Sequence, residues 1–402
     1  MKRILFVDDE RRIVDGLQRM LHSHRKKWEM TFVNSGEEAL AVLARSAYDV
    51  IVSDMRMPGM DGTRLLQLVS ERYPGTMRIV LSGQFDKEAA MRAVPVAHQF
   101  LTKPCDVNTL LEVIERSSGE DSAVPDAAIR RIIATVGHLP PLPHTAAALI
   151  AAVDDHAATL DQVSAIVERD VAVAAKVLQL VNSAFFGLSH EIATVPVAVG
   201  FLGFDVLKQL VVTVELFRSF ECACHIAGFS VEETQRHSRC VAAIAARLPV
   251  PRKQAAATSV AALLHDVGKL VLAARLPEHL ERALRASSDQ KLPLHIVEEE
   301  LLGITHAEIG AHLLSLWGLP APVISAVAQH HHRVRATADG AIDIRLILHI
   351  ADLLDHEASG TSESDRHGAL DEVCVDSREY SDSLPAWRKI ADEVVQREAQ
   401  CR

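Results

Sequence analysis

Three aspartates, a serine and a lysine form the first group of residues that could carry chemistry. Asp8 and Asp9 follow one short apolar run, Asp54 ends a second, Ser82 follows a third, and Lys103 follows a fourth. Three carboxylates held close together need a cation, and hard oxygen ligands suit Mg²⁺. With the metal in place, the Asp54 carboxylate can attack a phosphoryl group. The serine hydroxyl and the lysine ammonium can then hold the phosphoryl oxygens.

The elements that must position these residues are short strands. The apolar runs cover residues 4–7, 48–54, 78–81 and 100–102. Helix-length sequence separates them, which is typical of a parallel α/β sheet. Such sheets gather chemistry at the carboxyl ends of their strands. The alternative is that the aspartates are only helix caps, but four strand-end signals in this order favour a common site.

This constellation resembles the receiver domain of bacterial two-component response regulators, across residues 1–118. The resemblance implies a doubly wound, five-stranded parallel sheet of the flavodoxin or CheY-like type. It implies that Asp54 is the phosphoacceptor and that a histidine kinase is the phosphoryl donor. It also implies that Asp8 and Asp9 bind Mg²⁺ together with Asp54, and that Arg56 adds a backbone carbonyl ligand.

The same resemblance implies how a phosphoryl group would be sensed. Ser82 is the switch hydroxyl, Lys103 is the phosphate-sensing lysine, and Phe100 is the switch aromatic. Phosphorylation would bias one face of the domain, which then either dimerises or releases the region that follows. We expect that face to comprise a helix near residues 87–93, strand 98–102 and helix 106–117.

A second group of candidate residues consists of histidines and acids in the C-terminal half. Its members are Glu233, His237, His265, Asp266, His306, His330, His331 and Asp352. Burying such groups in apolar helices costs several kcal/mol unless they pair or bind a metal. Imidazoles with carboxylates suit Fe, Mn, Zn or Ni, and such a metal can activate water for phosphoester hydrolysis. Lys269, one turn after Asp266, could steady a phosphate.

Two questions about this group stay open at the level of sequence. The first is whether it holds a metal or is a vestigial site linked by hydrogen bonds between histidines and carboxylates. The second concerns His330, His331 and His332. Adjacent residues of a helix point about 100° apart, so we do not expect all three to face one site.

The elements around this second group are helices. Residues 126–355 carry apolar residues at helical spacing, after a polar linker at 119–128. We expect a first helical part at 129–225 and a second at 226–355. The remainder, 356–402, is a polar segment to about 381 followed by a helix at 384–399.

The helical region resembles the HDOD domain, an HD-related output domain of bacterial signalling proteins, across residues 129–355. The resemblance rests on motifs at 139–143, 182–184, 265–269, 305–310 and 317–320, with His330 and His331. It implies an all-α, HD-superfamily-like fold and output through a partner protein. The second group, with Lys269, also matches in type and order the related HD-GYP phosphodiesterases. The Gly-Tyr-Pro signature of those enzymes is absent, which argues against cyclic dinucleotide hydrolysis.

Composition limits the remaining functions. The chain has 402 residues and a net charge of −11, which argues against a broad nucleic-acid footprint. The chain opens directly into a strand, so we expect no signal peptide, no membrane span and a cytoplasmic location. The sequence therefore predicts a response regulator whose helical domain signals through a protein partner. The competing hypothesis is a metal-dependent phosphohydrolase controlled by Asp54.

Overall fold

A computed structural model gives the structure of the protein. It describes residues 1–83, 93, 96–103, 105–116, 145–154, 158–182, 192–204, 206–207, 226–332, 343–360 and 383–400. The predicted linker at 119–128 and the proline motif at 139–143 lie outside these residues, as does most of the predicted helix near 87–93. Elements are numbered below through the described part of the chain.

The N-terminal region alternates strands and helices. Its strands are β1 (Lys2–Val7), β2 (Trp28–Val33), β3 (Val50–Asp54), β4 (Met77–Gly83) and β5 (Gln99–Lys103). Its described α-helices are α1 (Arg11–Met20), α2 (Gly36–Leu43), α3 (Gly62–Arg72) and α4 (Val107–Arg116). The capping residues Ser35 and Asp61 begin α2 and α3, because their side chains accept hydrogen bonds from Glu38 N and Arg64 N.

The five strands form one parallel sheet in the order β2-β1-β3-β4-β5. This is the doubly wound arrangement in which ligands bind beyond the carboxyl ends of the strands. The central strands are buried on both faces, and β3 is buried at every position. The predicted five-stranded fold is therefore confirmed.

The C-terminal region is helical. Its first described helices are α5 (Thr145–Asp154), α6 (Leu160–Glu168), α7 (Val171–Asn182) and α8 (Val195–Leu202). The next are α9 (Val231–Ala245), α10 (Ala255–Leu264), α11 (Val267–Arg275), α12 (Pro277–Gln290) and α13 (Leu294–Leu302). The last are α14 (His306–Leu316), α15 (Ala321–Ala328), α16 (Ile344–Ser359) and α17 (Leu384–Gln400).

Helices α11 and α14 cross with their backbones in contact. A Cβ on Gly268 would lie 1.9 Å from the carbonyl oxygen of His306. A Cβ on Gly310 would lie 2.9 Å from Val267 Cγ1 and 3.1 Å from the backbone nitrogen of Gly268. The two helices can approach this closely because both positions, Gly268 and Gly310, lack a side chain. The crossing places Asp266, just before α11, beside His306, the first residue of α14.

Two expectations about the ends of the helical region can be compared with the structure. Helix α16 continues to Ser359, so the predicted polar segment at 356–381 begins inside a helix. Its remainder, 361–381, lies outside the described residues. The predicted C-terminal helix is α17.

One segment has the length and composition of a membrane span. Among the described residues it is Ala255–Arg275, which spans α10 and α11, and 72% of its 18-residue apolar window is buried inside the protein. A buried pair of core helices has the same composition, so this is weak evidence for a membrane span.

Candidate functional site

The acidic edge of the sheet is held together by one lysine. Lys103 Nζ lies 2.6 Å from Asp8 Oδ2 and 2.9 Å from Asp54 Oδ1. Asp54 Oδ1 also accepts a 2.8 Å hydrogen bond from the backbone nitrogen of Met55. Asp8, Asp9 and Asp54 each present a carboxylate oxygen, and these oxygens lie within 4.8 Å of one another. The structure thus brings together the predicted Mg²⁺ ligands and the predicted phosphoacceptor.

The remaining receiver candidates follow from strand register. Asp54 pairs with Leu81, and Ser82 pairs with Thr102, the neighbour of Lys103. Ser82 is therefore at the same sheet edge, where it is fully buried. Phe100 is buried in the interior of β5. Arg56 is exposed in the loop after β3, and its carbonyl as a Mg²⁺ ligand stays a prediction.

Burial and charge act in opposite directions on this edge. Burial raises the pKa of Asp54, and the neighbouring carboxylate of Asp8 adds to the rise, while Lys103 opposes it. Burial would lower the pKa of Lys103, but its hydrogen bonds and charge interactions with Asp8 and Asp54 raise it instead. The lysine therefore stays protonated between the two carboxylates. A divalent cation beside these carboxylates would oppose the rise in the pKa of Asp54 and favour its ionised form.

The second candidate site, which we call the histidine cluster, contains His237, His265, Asp266, His306, His330, His331 and Asp352. Three overlapping sets of these residues have ligand atoms within 4.8 Å of one another. The sets are His237, His265 and Asp352; His265, Asp266 and His330; and His306, His330 and His331. The middle set joins the other two, so the cluster is continuous.

Four of these histidines are oriented by hydrogen bonds from Nδ1. His237 Nδ1 donates to Asp355 Oδ2 at 2.6 Å, and His306 Nδ1 donates to Glu298 Oε2 at 2.6 Å. The corresponding acceptors for His265 and His330 are the carbonyl oxygens of Ala262, at 2.8 Å, and Val327, at 2.7 Å. In the neutral ring the Nε2 lone pair then points into the cluster. Metal-ligating histidines are held in this way.

The Nε2 atoms converge. His306 Nε2 lies 2.7 Å from His331 Nε2, and His237 Nε2 lies 3.1 Å from His265 Nε2. Two facing lone pairs at this distance repel unless a proton or a metal ion lies between them. His330 Nε2 is buried, and within the described part of the chain it makes no hydrogen bond. The donor set therefore fits a transition metal bound by imidazole and carboxylate.

The carboxylates of the cluster are strongly biased towards the charged form. Burial opposes ionisation of Asp266, but the charge of Lys269 and the hydrogen bond and charge of His306 outweigh it and hold its pKa well below its usual range. Burial likewise opposes ionisation of Asp352, and the charges and hydrogen bonds of its histidine neighbours hold that pKa well below its usual range. Both carboxylates are thus available as anionic ligands.

The histidines divide into two kinds. Burial lowers the pKa of His265 and lowers that of His330 well below its usual range, so both rings are neutral. Burial opposes protonation of His237 as well, but Asp352 and Asp355 outweigh it and raise its pKa to about 10. A metal ion would compete with this proton for the His237 ring.

The cluster opens on a cavity of about 360 Å³. Its polar lining includes Ser230, Thr234, Arg236 and Lys269, beside His237, Asp266 and His306. Lys269 Nζ lies 2.7 Å from Asp266 Oδ2, and its side chain is 18% exposed. An anionic group in the cavity would therefore meet a lysine already fixed beside the cluster.

Not every predicted residue joins this arrangement. Glu233 is exposed in the first turn of α9 and lines the cavity, but it belongs to none of the three sets. Asp355 supplies the carboxylate that contacts His237 instead. His330 and His331 follow the end of α15, so the helical angle does not apply and both face the cluster. His332 is exposed, in agreement with the expectation that the three adjacent histidines do not all face one site.

Three residues of the site were missed by the sequence interpretation. They are Glu298, Asp355 and His356. The first two orient histidines, and His356 Nε2 lies 3.4 Å from Asp352 Oδ1. Glu298 lies in a Glu-Glu-Glu run that is typical of a solvated helix face, yet it is fully buried. Asp355 and His356 follow Asp352 on one helix, and that spacing is the signal that could have found them.

Comparisons with known proteins assign both regions to families. The response regulator receiver domain family matches residues 4–115, and the HDOD domain family matches residues 139–333. The chain thus consists of an α/β domain followed by a helical domain. It carries a receiver domain and an HDOD domain, a combination that indicates a two-component response regulator.

Individual relatives match parts of the chain. An uncharacterised protein of Treponema pallidum is 26% identical over 49% of this chain and 38% of its own length. The hydrogenase transcriptional regulatory protein HoxA of Cupriavidus necator is 37% identical over 28% of this chain and 23% of its own length. The MmoQ response regulator of Methylococcus capsulatus is 22% identical, covers 62% of this chain and 98% of its own, and superposes with a TM-score of 0.47. The chain thus spans well under half of these two curated relatives.

Proposed function

We propose that the chain is a phosphorylation-dependent response regulator in which Asp54 accepts a phosphoryl group from a histidine kinase. The observation that supports this is the contact of Lys103 with both Asp54 and Asp8 at the carboxyl edge of the sheet. Mg²⁺ held by Asp8 and Asp9 would neutralise the charge that develops on the transferred group. Ser82 and Lys103 would bind the phosphoryl oxygens once they are attached to Asp54.

Labelling with acetyl phosphate tests this proposal. In the presence of Mg²⁺ the wild-type protein should take up one phosphoryl group, and Asp54→Asn should take up none, because the nucleophilic carboxylate is gone. Asp15→Asn is the matched control, since Asp15 is exposed on α1 and away from the strand ends. Labelling that persists in Asp54→Asn would contradict the assignment.

We further propose that the HDOD domain is a metal-dependent phosphohydrolase, the hypothesis that competes with output through a partner protein. The observation that carries it is the orientation of four histidines by Nδ1 hydrogen bonds, with Nε2 directed into a cluster that borders a cavity. A surface that only docks a protein has no need of this arrangement.

The residues of the cluster have distinct roles in this proposal. His237, His265 and Asp352 would hold one metal ion, His306, His330 and His331 a second, and Asp266 lies between the two sets. A bound metal supplies a Lewis acid and a water molecule of lowered pKa. Lys269, fixed at 2.7 Å from Asp266 Oδ2, would bind a phosphate oxygen and orient the ester. Glu298 and Asp355 would keep their histidines in the ligating tautomer.

Elemental analysis of the purified protein tests metal binding first. We expect one to two equivalents of Fe, Mn, Zn or Ni in wild type and a clear loss in Asp266→Ala, because its carboxylate joins the two sets. His332→Ala is the matched control, since it removes an exposed histidine next to the cluster. Equal metal content in Asp266→Ala and wild type would overturn the proposed centre.

Turnover is tested separately, with a panel of nucleotide phosphomonoesters and phosphodiesters. The metal-loaded protein should hydrolyse at least one of them, and Lys269→Met should bind metal but lose the activity. A metallated protein that hydrolyses none of the panel would contradict the hydrolase proposal.

Output through a partner protein is supported by a different surface. Leu160 on α6 and Val197 on α8 are 40% and 57% exposed, and these two helices pack together. Exposed aliphatic side chains on neighbouring helices are a common feature of protein contacts. If output uses this surface, Val197→Asp should abolish partner capture and leave metal content unchanged. Capture that survives the substitution would exclude this surface.

A further inference from the structure

The receiver and HDOD domains meet at the amino-terminal ends of strands β4 and β5, away from the phosphoacceptor edge. Gln99, the first residue of β5, donates a 2.7 Å hydrogen bond from Nε2 to the carbonyl oxygen of Leu316. Gln99 is only 4% exposed, so this bond is buried. Leu316 is the last residue of α14. A receiver side chain therefore binds the carboxyl end of an HDOD helix.

This hydrogen bond completes the end of the helix. The last carbonyl groups of an α-helix have no donor within the helix itself, and the Gln99 amide supplies one from the other domain. The turn that follows leaves room for it, since a Cβ on Gly318 would lie 2.7 Å from Gln99 Nε2. Gly318 also has a φ of +74°, which glycine adopts without strain.

A second set of contacts holds the same helix end. Gln179 on α7 donates from Nε2 to the carbonyl oxygen of His98, the residue before β5, at 3.0 Å. Its Oε1 accepts a 2.8 Å hydrogen bond from Lys176 Nζ. That ammonium lies 4.8 Å from the centre of the Trp317 ring, and Trp317 directly follows α14. The start of β5 and the end of α14 are thus bound to each other directly and through α7.

The two elements in contact lead to the two candidate sites. Strand β5 ends at Lys103, which contacts Asp54 and Asp8. Helix α14 begins at His306, whose Nε2 lies 2.7 Å from His331 Nε2 and 3.3 Å from Asp266 Oδ1. A strand of this length extends about 13 Å and the helix about 16 Å. Both are stiff, so a displacement at one end reaches the other.

We propose that β5 and α14 together transmit phosphorylation of Asp54 to the histidine cluster, with Gln99 as the positioning residue that joins them. A phosphoryl group on Asp54 would draw the Lys103 ammonium towards its oxygens and shift β5. The shift changes the Gln99–Leu316 contact and hence the position of His306 against Asp266. This inference rests on the proposed function, because it names the regulation of that same site.

The junction has the composition of a contact that can rearrange. It buries two basic side chains, Arg78 and Lys176, each at most 1% exposed. Burial lowers the pKa of Arg78 to about 9, and burial with the nearby Arg78 charge lowers that of Lys176 to about 7. Buried charges of the same sign make an interface less stable than apolar packing would. A small change at β5 is then enough to alter it.

Hydrogen exchange on the full-length protein tests the link without any need for metal or turnover. Beryllium fluoride with Mg²⁺ mimics an acyl phosphate on Asp54. In wild type it should change the exchange rates of amides in α14 by about fivefold or more, the lower end of typical coupling between sites. In Asp54→Asn the exchange rates should stay constant.

The decisive variant is Gln99→Met, which keeps the size of the side chain and removes the donor. Here the change in α14 exchange should fall to less than half of the wild-type change, while Gln290→Leu, an exposed site on α12, should retain it. If Gln99→Met does not fold, Gln179→Met breaks the second contact and should weaken the response in the same direction. A full response in the folded variants, or none in wild type that has bound the mimic, would overturn the proposal.

The result is independent of the elemental analysis. A transmitted exchange response in a protein without metal would leave the link in place and refute the hydrolase proposal. A metallated protein with no response at α14 would refute the link alone.

Discussion

The two candidate sites differ in how the fold assembles them. The receiver site lies at one edge of one sheet, and its members lie at or just beyond the carboxyl ends of four adjacent parallel strands. The histidine cluster draws residues from α9, α14 and α16 and from the turns after α10 and α15. Their relative positions depend on how the helices pack. The strand-end site is therefore dictated by local sequence and topology, whereas the cluster depends on tertiary contacts such as the glycine crossing of α11 and α14.

The largest effects are expected where a glycine permits close backbone approach. Gly62→Ala would place Cβ 2.0 Å from the carbonyl oxygen of Asp54, and Gly268→Ala would place it 1.9 Å from that of His306. Because backbone atoms cannot yield locally, each variant should lose about 3 kcal/mol or more of unfolding free energy. Chemical denaturation measures this loss.

The matched control is Gly16→Ala in α1, where a Cβ would have no neighbour within 4 Å. Alanine has the higher helix propensity, so this change should be neutral or stabilising by up to about 1 kcal/mol. If Gly62→Ala and Gly268→Ala behaved like Gly16→Ala, the crossing of α11 and α14 and the packing of α3 beneath Asp54 would both be wrong.

An intermediate effect is expected for the carboxylate that orients His306. Glu298→Gln removes the charge that accepts from His306 Nδ1, and metal affinity should fall about 10- to 100-fold. Competition with a chromogenic chelator measures the affinity. Glu299→Gln, on the exposed neighbouring position, should bind metal like wild type. Equal affinities for the two variants would show that Glu298 has no positioning role.

The smallest effect concerns Lys176, the buried lysine at the domain junction. The pKa of Lys176 is lowered from 10.5 to about 7 by burial and by Arg78, so the unfolded chain binds one more proton than the native state between these values. Stability from this group therefore rises with pH across that interval, by at most about 1.4 kcal/mol per pH unit. Lys176→Met should flatten this dependence.

The test compares the pH dependence of the unfolding free energy as the difference between wild type and Lys176→Met. The pKa of His237 is raised to about 10, so its contribution is lost as pH rises and acts in the opposite direction in both proteins. Denaturation midpoints measured from neutral to alkaline pH give the difference, with Lys253→Met as an exposed control. A difference that does not grow with pH would show that burial does not lower the pKa of Lys176 in the native protein.

The sequence predicted the receiver fold and most of the residues at both sites. The signal was different for the receiver site and for the histidine cluster. Asp8, Asp54 and Lys103 could be located because a strand end is readable in a single apolar run. The second group could be located because histidine and aspartate are rare in apolar helices. Glu233 was predicted from its helical spacing to His237. That spacing does not determine which carboxylate contacts the His237 ring, and in the structure Asp355 does so.

The rest could not be read from local sequence. Glu298 is one of three consecutive glutamates, and only packing buries it while Glu299 and Glu300 stay exposed. Gln99 lies in a strand and bonds to a residue 217 positions away, so no periodicity reports it. Lys176 could have been noticed, since it is the one charged residue in α7, whose other residues are apolar except for Gln179 and Asn182.

The contact of Gly268 with the backbone of His306 has a further consequence. Side chains between two helices can absorb part of a displacement, because their rotamers adjust when one helix shifts. No side chain lies between Gly268 and the carbonyl group of His306, so a movement of one backbone at this point is passed directly to the other. The spacing of Asp266 and His306 is therefore governed by where whole helices lie, and a displacement of a fraction of an ångström there is enough to open or close their contact.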